Sequence, residues 1–328
     1  MSVIPPVEPP LGGPPPVESV EELSAAIEEA SVEEQLVAAG LLAEADPEPL
    51  TQWQLFVRRF RRHKLAMASL GFLILLYAVV FSAGWLAPFP EGQQDLLLGP
   101  TPPSADHWLG TDELGRDQLS ELMYAGQISL RIGVAVAIVS TLLGATFGAI
   151  AGYYGRWIDQ LLMRTTDLFL IVPAIAALAV ALRRFGSSPF TVTLVLAGLF
   201  WMWIARVVRA QTLALREKEF VEAARAVGAS GPRIILRHIL PNCVGPIMVN
   251  ATLQIAVAII TESTLSFLGF GVGKGVNSWG KMLSDAEGYF SHNTHLLYFP
   301  GLCIVLTVLA VNALGDGLRD ALDPHAKH

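Results

Sequence analysis

The sequence predicts an all-α polytopic membrane protein with six transmembrane helices. Apolar runs near twenty residues recur along the 328-residue chain, and a hydrocarbon core about 30 Å thick needs about 20 residues of helix at about 1.5 Å each. Charged residues make up 16%, against roughly 25% in an average soluble domain. The basic residues gather beside particular runs, which gives those runs a direction.

The net charge of −7 is unevenly placed. Residues 1–50 hold eleven Asp or Glu and no Lys or Arg, and the other 278 residues carry 22 basic and 18 acidic groups. Seven prolines within residues 1–16 exclude a continuous helix there. No basic stretch precedes an apolar one, so the segment does not read as a signal peptide. Ser19 with Glu22 and Ser31 with Glu34 have capping-box spacing, which would start one or two short helices in an otherwise acidic tail. Cys243 and Cys303 both fall in or beside apolar runs and read as packing residues, not as a disulfide or zinc site.

Residues 51–64 are expected to form a basic interfacial helix. Arg58, Arg59, Arg61, Arg62 and Lys64 interleave there with Trp53, Leu55, Phe56, Val57 and Phe60. The first span covers Leu65–Trp85, and the charge beside it predicts a cytoplasmic N-terminus. Mostly polar residues 86–130 follow on the outer side. The second span, about Ile132–Tyr153, carries Gly144, Gly148 and Gly152 four apart, a spacing that lets helices approach closely. Gly155, Arg156 and Asp159 mark an inner turn. A third span begins between Leu161 and Asp167 and ends at Leu182, and a fourth covers about Phe190–Ala205. The loop 206–242 then carries seven Arg or Lys, as a cytoplasmic loop should. A fifth span covers about Cys243–Ile260, an outer loop runs from about Phe270 to His295, and a sixth span covers about Leu296–Leu314. Six spans put both termini on the cytoplasmic side.

Within 206–242, the segment Arg216–Arg237 suits helix but is broken. Phe220, Ala223, Ala224 and Val227 can cover one face, with Glu222 and Arg225 elsewhere. Gly228 interrupts, and Ser230-Gly231-Pro232 offers a cap, a joint and a first-turn proline. A second short helix continues to Ile239, where Pro241 is expected to end it. Two short helices outside the bilayer, joined by a turn, suit an element that enters a groove on a partner and passes motion to the spans. An amphipathic loop resting on the membrane is the plainer alternative.

Glu222-Ala223-Ala224, then Gly228, then His238-Ile239-Leu240-Pro241 resembles the EAA loop of permease subunits in bacterial ABC importers. The chain also holds His107-Trp108-Leu109-Gly110-Thr111-Asp112-Glu113-Leu114-Gly115-Arg116-Asp117 and Thr261-Glu262-Ser263-Thr264-Leu265-Ser266-Phe267-Leu268-Gly269. Trp279-Gly280 and the run Leu314-Gly315-Asp316-Gly317-Leu318-Arg319-Asp320-Ala321-Leu322-Asp323-Pro324 follow in order. In these motifs the chain resembles the C-type permease subunit of the dipeptide/oligopeptide/nickel importer family, over roughly residues 55–324. The resemblance implies a type I ABC importer permease fold over 65–324, in the bacterial inner membrane. It also implies a homologous permease partner, two cytoplasmic ATPase subunits and an extracytoplasmic solute-binding protein. ATP and Mg would belong to the ATPase subunits, with no cofactor in this chain. Glu222, Ala223, Ala224, Gly228, Leu240 and Pro241 would form the ATPase-coupling element. Peptides, nickel complexes and other small solutes all remain open as substrates.

The chain has no Walker A lysine motif, so it is not expected to hydrolyse ATP or to act as an enzyme. Nucleic acid is not among its expected partners. Polar Asp167, Asn250, Glu262 and Asn312 lie in or near apolar spans and should face the bundle or a pathway. Asp167 is expected to cap the third span, Glu262 to make a structural hydrogen bond at the outer edge, and the two asparagines to bond between helices. The glycine-rich outer motif suits a compact turn held by Arg116 and a carboxylate, or a contact for the binding protein. His107, Asp112 and Asp117 lack standard metal-site spacing. Trp279 is expected to anchor the outer loop at the interface. A secondary transporter would explain six spans but calls for an internal repeat and a broken midplane helix, neither of which is evident.

Overall fold

The computed structural model describes residues 51–322 apart from Val172, Lys274, Phe290 and Ser291. The acidic extension 1–50 with its two expected capping boxes, and Asp323 and Pro324 of the closing motif, lie outside the described residues. The chain divides after Gln54 into two compact units, and of the first the described residues are Thr51–Gln54. They open helix α1 (Gln52–Arg62) with a reciprocal cap: the Thr51 N–H donates to Gln54 Oε1 at 2.8 Å and the Gln54 N–H to Thr51 Oγ1 at 3.3 Å.

The second unit is a helical bundle. Helix α2 (Lys64–Phe81) begins where His63 Nδ1 accepts from the Ala66 N–H at 3.1 Å, and α3 (Ala83–Leu86) prolongs the same run. Helix α4 (Gln118–Tyr154) has 37 residues, about 55 Å of helix, and overshoots an about 30 Å core. It starts fourteen residues before the expected Ile132, because Asp117 caps it (Ser120 N–H to Oδ2, 2.9 Å). Its polar first turns are also buried by the outer segments: Gln118, Ser120 and Glu121 are each under 4% exposed.

The expected third span is two helices, α5 (Arg156–Ile171) and α6 (Ala174–Phe185), which meet at 92°. Pro173, extended at φ −60 and ψ 110, stands at the break, where it has no N–H to continue the helical ladder. Helix α7 (Pro189–Leu215) runs ten residues beyond the expected end of the fourth span, so Arg206–Leu215 is helix and not loop. After α8 (Glu219–Ala226) comes α9 (Gly231–Ile234), which does not stop at Pro241 as expected. A π turn, Ile235–Ile239, and a 3-10 turn, Leu240–Cys243, carry it into α10 (Val244–Phe267) as one helical run. The wide turn absorbs the N–H that proline lacks and the bulk of its ring. Helix α11 (Trp279–Ala286) lies in the segment expected as a loop, and α12 (His295–Leu322) closes the bundle.

The glycine spacing in α4 has the effect expected of it. Ideal Cβ atoms on Gly144, Gly148 and Gly152 would lie 2.7 Å from the Trp201 carbonyl oxygen, 2.4 Å from that of Ala205 and 2.6 Å from Thr212 Cβ. Rising numbers on α4 meet rising numbers on α7, so the two helices pack in parallel. Parallel neighbours require the chain between them to cross back. Helices α5 and α6, about 24 and 18 Å long and near perpendicular, reach about 30 Å end to end. Taken as one span, the bent pair is a sixth crossing beside the five straight runs that, among the described residues, are long and apolar enough to span a membrane. His63 Nε2 lies 3.6 Å from an Asp320 carboxylate oxygen, so the start of α2 and the end of α12 meet at one end of the bundle, the flank end. The opposite end, which holds residues 86–117 and α11, is the motif end.

Apolar layers follow α4 along its length. Ile132 and Val136 pack with Leu196 and Leu265, Leu130 packs with Ile259 and Trp279, and Ala149 with Ile204, Val208 and Ile239. Cys243 is buried in the last layer and Cys303 is half-buried in the second; both are free thiols.

Gly148→Ala should destabilise the protein by about 1–3 kcal/mol through overpacking against Ala205, read as a lower unfolding temperature in detergent. Gly198→Ala, on the same pair of helices but with open space around its Cβ, should leave that temperature unchanged or raise it.

Candidate functional site

At the flank end, α8 stands between α7 and the α9–α10 run. Val221 and Ala224 are its buried residues, and they join Ala149, Ile204, Val208, Ile234 and Ile239 in one core layer. Phe220, Ala223 and Val227, expected on the covered face with Ala224, are exposed; Val227 reaches 84%. The short helix thus has one apolar edge locked into the bundle and a second that nothing in the described residues covers. Glu222 is also exposed, and the Arg225 guanidinium sits over the Tyr153 ring at 5.4 Å.

Gly228 ends α8 in a Schellman motif. The Ala229 N–H donates to the Ala224 carbonyl at 3.0 Å and the Gly228 N–H to that of Arg225 at 2.9 Å, with Gly228 at φ +82. Its Cβ direction is open, with nothing within 4 Å. What requires glycine is the backbone angle, not space. Leu240 packs against the same core layer as α8, and Pro241 is exposed at the start of the 3-10 turn.

At the motif end, Asp112 and Arg116 pair at 2.6 Å, the carboxylate pairing expected within the glycine-rich motif. His107 Nδ1 meets Asp117 Oδ1 at 2.9 Å. Sequence reading missed Glu121, whose buried carboxylate ties three segments together. It accepts from the Gly92 N–H at 2.8 Å and from Asn277 Nδ2 at 2.7 Å, and Arg116 Nη1 lies 3.5 Å away. The only signal was its position one turn into an unrecognised stretch of α4. Trp279 is not an interfacial anchor: it is 1% exposed, donates from Nε1 to the Leu122 carbonyl at 3.0 Å, and its own N–H donates to Ser129 Oγ at 3.1 Å. Among the described residues no three His, Cys, Asp or Glu side chains are grouped to hold a metal ion.

The four polar span residues are not gathered in one site. Glu262 is fully buried, accepts from the Ser266 hydroxyl at 2.7 Å, and has Ser129, Ser263 and Ser278 around its carboxyl. Asp167 does not cap a helix. It lies well inside α5 and pairs with Arg206 of α7 at 2.5 Å, half-exposed. Asn250 does not bond between helices but returns its Nδ2 to the Pro246 carbonyl at 2.8 Å, and Asn312 is half-buried in α12. Asp159, expected in a turn, belongs to α5 and pairs with Arg209 of α7.

A bundle of six crossings, with a short capped helix presented at one end and a tied polar cap at the other, is the architecture of a transport permease. Residues 144–328 match the family described as the inner membrane component of binding-protein-dependent transport systems. Residues 51–103 match the N-terminal transmembrane domain of oligopeptide transport permease C. The oligopeptide transport system permease protein OppC of Mycobacterium tuberculosis is 41% identical over 275 residues, 83% of this chain and 94% of that protein. The glutathione transport system permease protein GsiD of Escherichia coli O6:K15:H31 is 42% identical over 278 residues, 84% of this chain and 92% of that protein. An inward-facing structure of the MetNI methionine ABC transporter shares the fold, with a TM-score of 0.50 at 20% identity over 62% of this chain and 96% of that one. The chain belongs to the OppC- and GsiD-type permease family of ABC importers. It is accordingly a non-catalytic transport subunit of the membrane.

Glu121→Ala should leave Asn277 and Arg116 without their shared acceptor. It should cost about 2–3 kcal/mol and expose residues 88–117 to limited proteolysis. Asp285→Asn, which breaks the partly exposed pair with Lys281, should change stability by less than about 1 kcal/mol.

Proposed function

We propose that this chain forms half of the translocation pathway of an ATP-driven importer of peptides or similar small solutes. Support for the substrate class comes from the two relatives named above for oligopeptide and glutathione transport, glutathione being itself a tripeptide. A homologous permease completes the pathway, two ATPase subunits bind the flank end, and a solute-binding protein delivers substrate at the motif end. The flank end is then cytoplasmic, as are both termini. Residues 1–50 are an appendage outside the pathway, 51–64 an interfacial helix and 65–324 the permease domain.

The observation that carries the reading is the two-edged helix α8. Its buried edge is Val221 and Ala224, and its free edge is Phe220, Ala223 and Val227. A coupling element needs both: one to move with the spans and one to fit a cleft on the ATPase. Ala223 permits close approach, Glu222 offers a charge-assisted acceptor, and Gly228 turns the chain sharply back into α9. Leu240 and Pro241 join that turn to the fifth span, so displacement of α8 is handed to α10.

Gly228→Val should strain the left-handed backbone by about 1–2 kcal/mol or more. That is enough to weaken ATPase docking about tenfold while the spans still fold and pair. Transport and substrate-stimulated ATP hydrolysis by the reconstituted complex should both fall; wild-type values for both would exclude α8 as the transmission element. Gly228→Asn, which tolerates the same angle, should lose far less.

Orientation is tested separately by thiol labelling. Leu97→Cys, at a fully exposed position at the motif end, should react from outside the cell, and Val227→Cys only after the membrane is opened. The reverse pattern would overturn the assigned sides.

A further inference from the structure

We propose that the Asp167–Arg206 pair is a dipolar station on the pathway wall, where Asp167 takes the ammonium group and Arg206 the carboxylate of a zwitterionic substrate. The proposal rests on the reading of this chain as an importer of peptides or similar small solutes.

The pair lies at the flank-side end of the apolar part of the bundle. Arg206 follows the apolar stretch Phe190–Ala205 and stands nine residues before the end of α7. Its neighbour Ala205 packs on Gly148, six residues before the end of α4. Yet Asp167 is 51% and Arg206 40% exposed on the surface of this chain. Ionised groups in or beside a span are held away from lipid, against protein, water or a water-filled path. On the proposal, the α5–α7 surface is turned inward in the assembled importer.

The neighbouring pair is built differently. Arg209 grips Asp159 with two nitrogens, Nε to Oδ1 and Nη2 to Oδ2 at 2.6 Å, and those side chains are only 32% and 16% exposed. That pair suffices to hold α5 on α7. Asp167 and Arg206 meet through a single contact, Nη2 to Oδ1. They are free to part without releasing the helix.

A substrate bearing both an ammonium and a carboxylate can take the place of each partner in turn. Asp167 exchanges a guanidinium for an ammonium while Arg206 exchanges one carboxylate for another. No charge is stranded during the exchange, and exposed ion pairs are weak in net terms, so neither entry nor release is blocked. Trp203, 61% exposed and three residues before Arg206, shares that face and offers an apolar surface for a peptide side chain.

The test uses the complex of both permeases and both ATPases, with Trp203→Cys as reporter and Cys303→Ala to remove the half-buried thiol; Cys243 is buried. The rate of modification by a water-soluble methanethiosulfonate is read with and without a dipeptide at millimolar concentration. We expect the reporter thiol to react, the free dipeptide to slow it about tenfold, and the N-acetylated dipeptide amide to have little effect. Asp167→Asn and Arg206→Gln should each abolish protection while the unmodified complex still assembles. An unreactive reporter would show a surface sealed by lipid or by the partner permease and would overturn the station. Equal protection by free and capped dipeptides would do so as well. Uptake of the dipeptide is measured in parallel on the wild-type complex with its binding protein. Uptake with an unprotected reporter defeats the station alone, whereas no uptake defeats the peptide reading on which it rests.

Discussion

The bundle depends on one close approach, the seam at which Gly144, Gly148 and Gly152 of α4 receive the backbone of α7. In a membrane the hydrophobic effect does not drive two helices together, since lipid chains are as apolar as leucine; contact area and fit do. Without side chains on one partner, carbonyl groups of the other come within reach of where Cβ atoms would stand. The seam is parallel, and from that the topology follows. Two parallel neighbours oblige α5 and α6 to recross the bundle. Their ends fix the side on which α8 emerges. The layer that buries α8 is the same layer that seals the seam at its flank end, through Ala149, Ile204 and Val208.

A second constraint is that polar groups must find partners where water is scarce. The threonines solve this locally: Thr146, Thr261 and Thr264 each donate to the carbonyl four residues earlier in their own helix. Glu262 is partnered only in part. Its Oε1 accepts from the Ser266 hydroxyl while its Oε2 has no partner among the described residues; Ser129 of α4 and Ser278 lie near the carboxyl, and Ser278 also caps α11 through the Lys281 N–H at 3.2 Å. Gly280 then lies so close to Ser263 that a Cβ would stand 2.4 Å from its Cα. The buried carboxyl, its serines and Trp279 therefore fasten a helix of the connecting segment directly onto the spans. The motif end is built as firmly as the membrane part.

What the sequence revealed and what it hid divide along the same physical line. Apolar length located the crossings, and the four-residue glycine period announced the seam, because both are local properties of a run. Boundaries were hidden wherever a helix continued in polar residues buried by something remote. Glu121 reads as a surface residue until residues 86–117 fold over it, and Arg206 and Arg209 read as loop until α5 supplies Asp167 and Asp159. Trp279 looked interfacial because a tryptophan beside a span commonly is, and only Gly126 and Gly280 make room to bury it. Gly228 was visible as the break in periodicity, but whether space or backbone angle demands glycine there depends on what surrounds it.

A coupling element of the proposed kind takes this form for a physical reason. A helix of eight residues is too short to be stable alone, since nucleation is costly and few hydrogen bonds follow it. Val221 and Ala224 stabilise α8 by burial in the flank-end layer, and the Schellman hydrogen bonds satisfy its last carbonyls. It therefore cannot shift without disturbing Ile204 and Val208 of α7 and Ile239 of the run leading to α10. Close-packed interiors transmit displacement instead of absorbing it. A force on the free edge, Phe220, Ala223 and Val227, would reach the fourth and fifth crossings together, and through the glycine seam the second. The bent third crossing is not part of this flank-end layer: its α6 is buried against α4 and α7 through Leu178 and Leu182, and its α5 joins α7 through Asp159–Arg209 and Asp167–Arg206. On the proposed reading, then, motion of the ATPase is passed to three crossings as a unit, and the charged α5–α7 face is the surface that the motion carries past the substrate.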